Sequence, residues 1–119
     1  KGIPFANEDN LFNKMLQEAK PTDKKITHIA RRITGDNSKY YTAMILHDNL
    51  VAPTITSGGE CMRFYDKQRC TDEDYNNIQS FPQDYDYCGN NVKYVTGMSV
   101  PPNMMANIAL EVYEQWLSR

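Results

Sequence analysis

The residues of this chain with the clearest capacity for chemistry are its three cysteines, Cys61, Cys70 and Cys88. Cys70 and Cys88 stand in polar, turn-rich sequence, whereas unpaired cysteines usually occur in apolar surroundings. The segment between them holds few large aliphatic side chains, so a covalent link would stabilise it. We therefore predict a Cys70–Cys88 disulfide that leaves Cys61 unpaired. The spacing leaves Cys61–Cys70 and Cys61–Cys88 links open as alternatives.

The predicted disulfide indicates an oxidising compartment. The chain has no Asn-x-Ser/Thr sequon, which disfavours a glycosylated ectodomain, so we expect a periplasmic or secreted protein. The sequence begins at Lys1 without a basic and apolar leader. We interpret residues 1–119 as a single domain cut from a longer membrane-anchored or secreted protein. Contact with a membrane is then expected only through an anchor that has been removed.

Residues typical of hydrolytic catalysis are present but do not form a complete set. Residues 97–101, Gly-Met-Ser-Val-Pro, are similar to the Gly-x-Ser-x-Gly nucleophile elbow, but the last glycine is a proline and no histidine follows Ser99. We therefore predict no catalytic residues. The alternative is a small secreted hydrolase or nuclease toxin with His28 or His47 as its general base, or an inhibitor of such an enzyme.

Two patterns could bind a metal, and both are incomplete. The cysteines are spaced C-x8-C and C-x17-C, without the tight C-x2–4-C turn that holds two zinc ligands together. Residues 84–89 are similar to the start of a calcium loop, but its fifth position is Cys88 and its twelfth is Val95. We predict neither a metal site nor a cofactor.

The charge distribution disfavours nucleic acid as a partner. Thirteen basic residues stand against fifteen acidic ones, giving a net charge of −2. Basic residues load the exposed side of the second predicted helix, which contains no aromatic residue that could stack on a base. The basic residues of that helix are Lys24, Lys25, His28, Arg31 and Arg32.

Tyrosines are concentrated within or beside the cysteine region. Tyrosine offers a large contact area at low entropic cost and is enriched at binding surfaces. We therefore predict a binding role, towards a protein partner or a small-molecule ligand, for Tyr65, Tyr75, Tyr85 and Tyr87.

Hydrophobic periodicity and turn residues give the predicted elements. Helices are expected at residues 8–20, 23–34 and 102–118, with a short helix from Thr71, and strands at residues 40–47, 50–56, 61–65 and 92–95. Tight turns at residues 48–49 and 57–59 favour antiparallel pairing. The predicted fold is α+β: a small antiparallel sheet of about four strands, on which two N-terminal helices and a C-terminal helix pack.

The apolar side of each predicted element should converge on one core. The expected core residues are Leu11, Met15, Ile29, Ile33, Ile45, Phe64, Val95, Ile108, Val112 and Trp116. With no complete catalytic set, we predict a non-catalytic extracytoplasmic binding domain, either ligand-sensing or a subunit-assembly module.

Overall fold

The computed structural model describes residues 11–35, 40 and 42–118. The chain begins there with helices α1 (Leu11–Gln17) and α2 (Ile26–Thr34), which pack against each other. Helix α2 ends at Gly35, which adopts the left-handed conformation with φ of 75° and donates its N–H to the Arg31 carbonyl. Both helices confirm the predictions for these segments, although α1 ends earlier than expected and residues 8–10 lie outside the described residues.

The first core lies between these two helices and two short strands, β1 (Met44–Leu46) and β2 (Cys61–Arg63). Met15, Ile29 and Ile45 are buried in it, as predicted, whereas Leu11 and Ile33 are half-exposed. The buried residues of this core are Met15, Leu16, Ile26, Ile29, Ala30, Ala43, Ile45 and Met62.

The predicted antiparallel sheet of about four strands is wrong. Strands β1 and β2 form a two-stranded parallel sheet, with Met44 paired to Cys61 and Leu46 to Arg63. The expected strand at residues 50–56 is irregular and belongs to a crossover, residues 47–60, of the length that parallel strands need. The turn signal at residues 57–59 therefore does not make a hairpin. Instead Gly59 packs against the Thr42 carbonyl, where a side chain would collide.

The expected strand at residues 92–95 is also wrong, because this segment is helix α4 (Val92–Met98). The Asn91 side chain accepts the Tyr94 N–H at 2.9 Å and so caps the helix, and the Thr96 hydroxyl donates to the Val92 carbonyl at 2.8 Å. These local bonds outweigh the preference of Val and Tyr for strands. Val95 is only half-buried there.

The predicted short helix after Thr71 is confirmed as α3 (Asp72–Ile78). Thr71 and Asp74 form a capping box, since each side chain accepts the other residue's backbone N–H. Helix α3 packs against α4, and its Tyr75 enters a second, smaller core with Ile55, Cys61 and Cys70.

The predicted C-terminal helix is confirmed as a helix, but its predicted packing on the core is wrong. Helix α5 (Pro102–Val112) continues into a π-helical segment, Tyr113–Leu117, and no residue of either is buried.

The described structure is elongated. It extends 59 Å along its longest axis, and its radius of gyration is 17.1 Å, larger than the value of about 14 Å expected for a compact domain of this length. Among the described residues, no helix combines the length and apolar character needed to span a bilayer.

Candidate interaction surface

The surface with the strongest physical demand for a partner is the helix formed by residues 102–118, called here the C-terminal helix. Its apolar side chains, which were expected in the core, are exposed: Ile108 is 49% exposed, Val112 46% and Trp116 77%. A contiguous exposed apolar patch larger than a few hundred Å² is rare on a monomer and marks an interaction site.

The C-terminal helix carries two apolar faces rather than one. The first face is the stripe read from the sequence, and three residues of the second face, Ala106, Tyr113 and Leu117, each directly follow a residue of the first. Neighbouring residues are separated by about 100° around a helix, so the two faces point in clearly different directions. The first face is Met105, Ile108, Val112 and Trp116, and the second is Ala106, Leu110, Tyr113 and Leu117.

The remaining side of the C-terminal helix is mainly polar, with the exposed Met104 near its start. Asn107, Glu111 and Gln115 lie beside the first face and line a shallow groove with Ile108, Val112 and Trp116. Gln115 donates to Glu111 at 2.8 Å. The charged residues between 102 and 118 are Glu111 and Glu114, so this helix is acidic and carries no basic residue.

The C-terminal helix starts at a defined junction with the rest of the chain. Pro101 and Pro102 open it, as suits the first turn of a helix, and the Asn103 N–H donates to the Ser80 hydroxyl at 3.1 Å. At its other end the Ser118 N–H donates to the Tyr113 carbonyl, the longer i to i+5 spacing of a π-helix. Single π-turns are uncommon in proteins, and many of those that are known lie at functional sites.

The four tyrosines predicted to bind a partner do not share one surface. Tyr75 is in the second core, where burial raises the pKa of its hydroxyl. Tyr65 is exposed and lies over the guanidinium of Arg63. Tyr85 and Tyr87 form an aromatic cluster with Phe81, with ring centroids 4.9 to 6.0 Å apart. The predicted binding role of these tyrosines stays a prediction.

The histidines considered as general bases lie in contrasting surroundings. His28 is exposed on α2, whereas His47 is buried, with its ring 4.5 Å from that of Phe64. The Nε2 atom of His47 lies 2.7 Å from the Asp23 carbonyl oxygen, which can only accept, so His47 donates this hydrogen bond. That contact gives His47 a structural role between β1 and α2.

The serine of the incomplete nucleophile motif is also engaged. Gly97 lies within α4 rather than in the expected strand-to-helix turn, and Ser99 caps the end of that helix. The Ser99 hydroxyl donates to the Val95 carbonyl at 2.6 Å. Among residues 11–35, 40 and 42–118, no group of three or more His, Cys, Asp or Glu side chains is arranged to hold a metal.

The three cysteines are free thiols in this structure. Cys61 and Cys70 are buried next to each other in the second core, and Cys88 is exposed in the loop before α4. The predicted Cys70–Cys88 link stays a prediction. In the structure, Cys70 lies closer to Cys61 than to Cys88. This neighbourhood arises from a turn at residues 64–67, in the turn-rich sequence before Cys70, after which the chain folds back beside β2.

A cavity beside Cys61 and Tyr75 is too small for a ligand. Its volume of about 10 Å³ is room for one water molecule.

The sequence shows no significant match to any protein-family model, curated protein or solved structure. The exposed C-terminal helix is the feature from which a function can be inferred.

Proposed function

We propose that this chain is a non-catalytic assembly domain whose C-terminal helix packs against the same helix in neighbouring copies of the chain. The observation that carries the proposal is the exposure of two apolar faces on a helix that has no buried residue. The exposed apolar side chains amount to on the order of 900 Å² over the two faces together, so each contact of a ring buries about half the area of one side of a standard protein interface. Leaving this area in water is unfavourable, so association is expected.

Copies of the same chain supply the two neighbours that two faces require. A helix with one apolar face forms a dimer through identical surfaces, whereas two different faces pair head to tail and close into a ring. In a ring of four to six helices, each helix has its neighbours about 90–120° apart. The centres of the two faces lie about 125° apart on an ideal helix, close to the upper end of this range.

The charge of the C-terminal helix favours a protein surface over an anionic one. Glu111 and Glu114 are its charged residues between 102 and 118, and an anionic membrane or a nucleic acid would repel them. Both lie on the polar side, which faces outwards in the proposed ring and leaves the contacts between helices uncharged. The extracytoplasmic location predicted from the sequence is kept as part of this proposal.

Sedimentation equilibrium of the full chain, kept reduced, tests the assembly. We expect a mass of at least three chains at micromolar concentration. Val112→Glu, on the first face, and Leu110→Glu, on the second, should each give a monomer, because each breaks every contact in a head-to-tail ring. Asn107→Glu adds the same charge to the polar side and should keep the wild-type mass.

A mixing experiment tests the head-to-tail arrangement. The Val112→Glu chain keeps an intact second face, and the Leu110→Glu chain keeps an intact first face. An equimolar mixture of these two monomers should therefore form a heterodimer that cannot grow further. A wild-type chain that stays monomeric up to millimolar concentration would refute the proposed function. A wild-type chain that forms only a dimer would refute the ring.

A further inference from the structure

A short antiparallel turn brings two cysteines opposite each other. After β2 the chain turns at residues 64–67 and runs back beside the strand, with Met62 bridged to Arg69 in antiparallel pairing. The Cys70 N–H donates to the Cys61 carbonyl at 2.9 Å, and the Arg63 N–H donates to the Gln68 carbonyl at 2.8 Å. This register places Cys61 directly across from Cys70.

The side chains of the two cysteines meet in the second core. Both residues are 4% exposed, and they pack with Ile55 and Tyr75. The two thiols are close enough that the Cys61 side chain raises the pKa of the Cys70 thiol. Residues opposite each other in a hydrogen-bonded antiparallel pair have Cα atoms about 5.5 Å apart, which lies within the range that disulfides span.

We propose that Cys61 and Cys70 form an oxidation site, which a small disulfide of the oxidised-glutathione class converts into a cross-strand disulfide. One cysteine sulfur attacks the reagent, releases one reduced thiol and forms a mixed disulfide. The other cysteine then attacks that mixed disulfide and releases the second reduced thiol. The chain loses two hydrogens and two electrons, which reduce the reagent to two thiols.

The surroundings of the pair control how fast this reaction proceeds. The neighbouring Cys61 side chain and burial both raise the pKa of the Cys70 thiol, so the folded pair holds its protons and attacks slowly. Oxidation is therefore expected mainly while the turn at residues 64–67 is open, during folding or local unfolding. Once formed, the disulfide is shielded from reductants by the same burial. Cys88 lies in a separate exposed loop, where its N–H donates to the Asp86 carboxylate.

Peptide mapping of the oxidised chain identifies the link. The reduced full chain is incubated with oxidised glutathione in mild urea, the urea is removed, and the protein is digested with trypsin without reduction. A Cys61–Cys70 link joins the peptide of residues 40–63 to that of residues 70–93. A Cys70–Cys88 link instead closes a ring within the peptide of residues 70–93, which then weighs two hydrogens less.

Serine variants separate the remaining possibilities. Cys88→Ser should retain the joined peptides, whereas Cys61→Ser and Cys70→Ser should each lose them. Oxidation of Cys88→Ser should also raise the melting temperature by about 5–10 °C, because it closes a loop across two paired segments. The proposal is overturned by loss of the joined peptides in Cys88→Ser, by the internal ring in the wild-type peptide, or by three free thiols after oxidation.

Discussion

His47 donates a hydrogen bond from Nε2 to the Asp23 carbonyl oxygen at 2.7 Å and so joins the end of β1 to the segment before α2. The Asp23 carboxylate in turn binds Arg32 through both oxygens, at 3.1 and 2.9 Å, and accepts the Lys20 N–H. Because Asp23 is 4% exposed, these contacts replace the water that its charge requires. The position of α2 against the sheet therefore depends on a buried carboxylate.

The Asp23 carboxylate should make stability depend on pH in acid. Burial acts to raise its pKa, but the hydrogen bonds from Arg32 and Lys20 outweigh this and lower it below the ordinary 3.8. A lowered pKa in the folded state means that the stabilisation is complete above the unfolded value and is lost as the pH falls through the folded one. The urea concentration at the unfolding midpoint should therefore decrease as the pH is lowered below about 4, because the carboxyl of the unfolded chain takes up a proton first.

Asp23→Asn is the matched variant for this titration. At pH 7 it should lower the free energy of unfolding by about 1–3 kcal/mol, because Arg32 loses its partner. The difference from the wild type should shrink as the pH is lowered from 5 to 2. A difference that stays constant over this range would show that Asp23 does not stabilise the fold through its charge.

Gly97→Ala should destabilise the contact between α4 and the crossover. A Cβ atom at this position would lie 2.6 Å from the Ser57 nitrogen and 2.8 Å from the Thr56 carbonyl carbon, so backbone has to move. We expect a loss of about 1–3 kcal/mol in denaturant unfolding. Gly58→Ala is the control, because its Cβ meets nothing within 4 Å, and it should change stability by under about 0.5 kcal/mol.

Arg63→Met should cost more than removal of an exposed ion pair. The Arg63 side chain is 7% exposed and binds both Asp66 and Asp74, which would be left without their cation. We expect a loss of about 2–4 kcal/mol. Lys93→Met breaks the more exposed pair with Glu60 and should cost under about 1 kcal/mol. Equal losses in the two variants would contradict the importance of burial here.

Trp116→Ala should leave the stability of the dilute monomer nearly unchanged. Trp116 is 77% exposed, so its removal is expected to change the free energy of unfolding by under about 0.5 kcal/mol. Met15→Ala, in the first core, should cost about 2–5 kcal/mol in the same measurement. A large loss for Trp116→Ala at a concentration where the chain is monomeric would show that the C-terminal helix packs on the body of the domain.

Features that depend on neighbouring residues were predictable from the sequence. Thr71 followed by Asp74 indicated a helix start, and the structure contains the full capping box. Asn91 is an equally good capping residue before residues 92–95, and it favours the helix that the structure contains over the expected strand. A single side-chain hydrogen bond at the first turn decides such a segment.

Features that depend on distant residues were not predictable. The turn residues at 57–59 are as compatible with the end of a crossover as with a hairpin, and only the packing of Gly59 on Thr42 distinguishes the two. The stripe of Ile108, Val112 and Trp116 was found correctly, but periodicity reports that a helix has an apolar face and not what that face meets. The sequence therefore predicts core packing for the first face, which the structure leaves exposed.

The parallel register of β1 and β2 has a consequence for the order of folding. Cys61 can find Cys70 by closing a short turn, whereas Met44 can pair with Cys61 only after the whole crossover at residues 47–60 has closed. Closing the longer loop loses more chain entropy before any contact compensates for it, so this step should limit the folding rate. We expect the turn at residues 64–67 to form early and β1 to dock late. Gly59→Ala disturbs the contact with Thr42 that closes the crossover, so it should slow refolding measured by stopped flow.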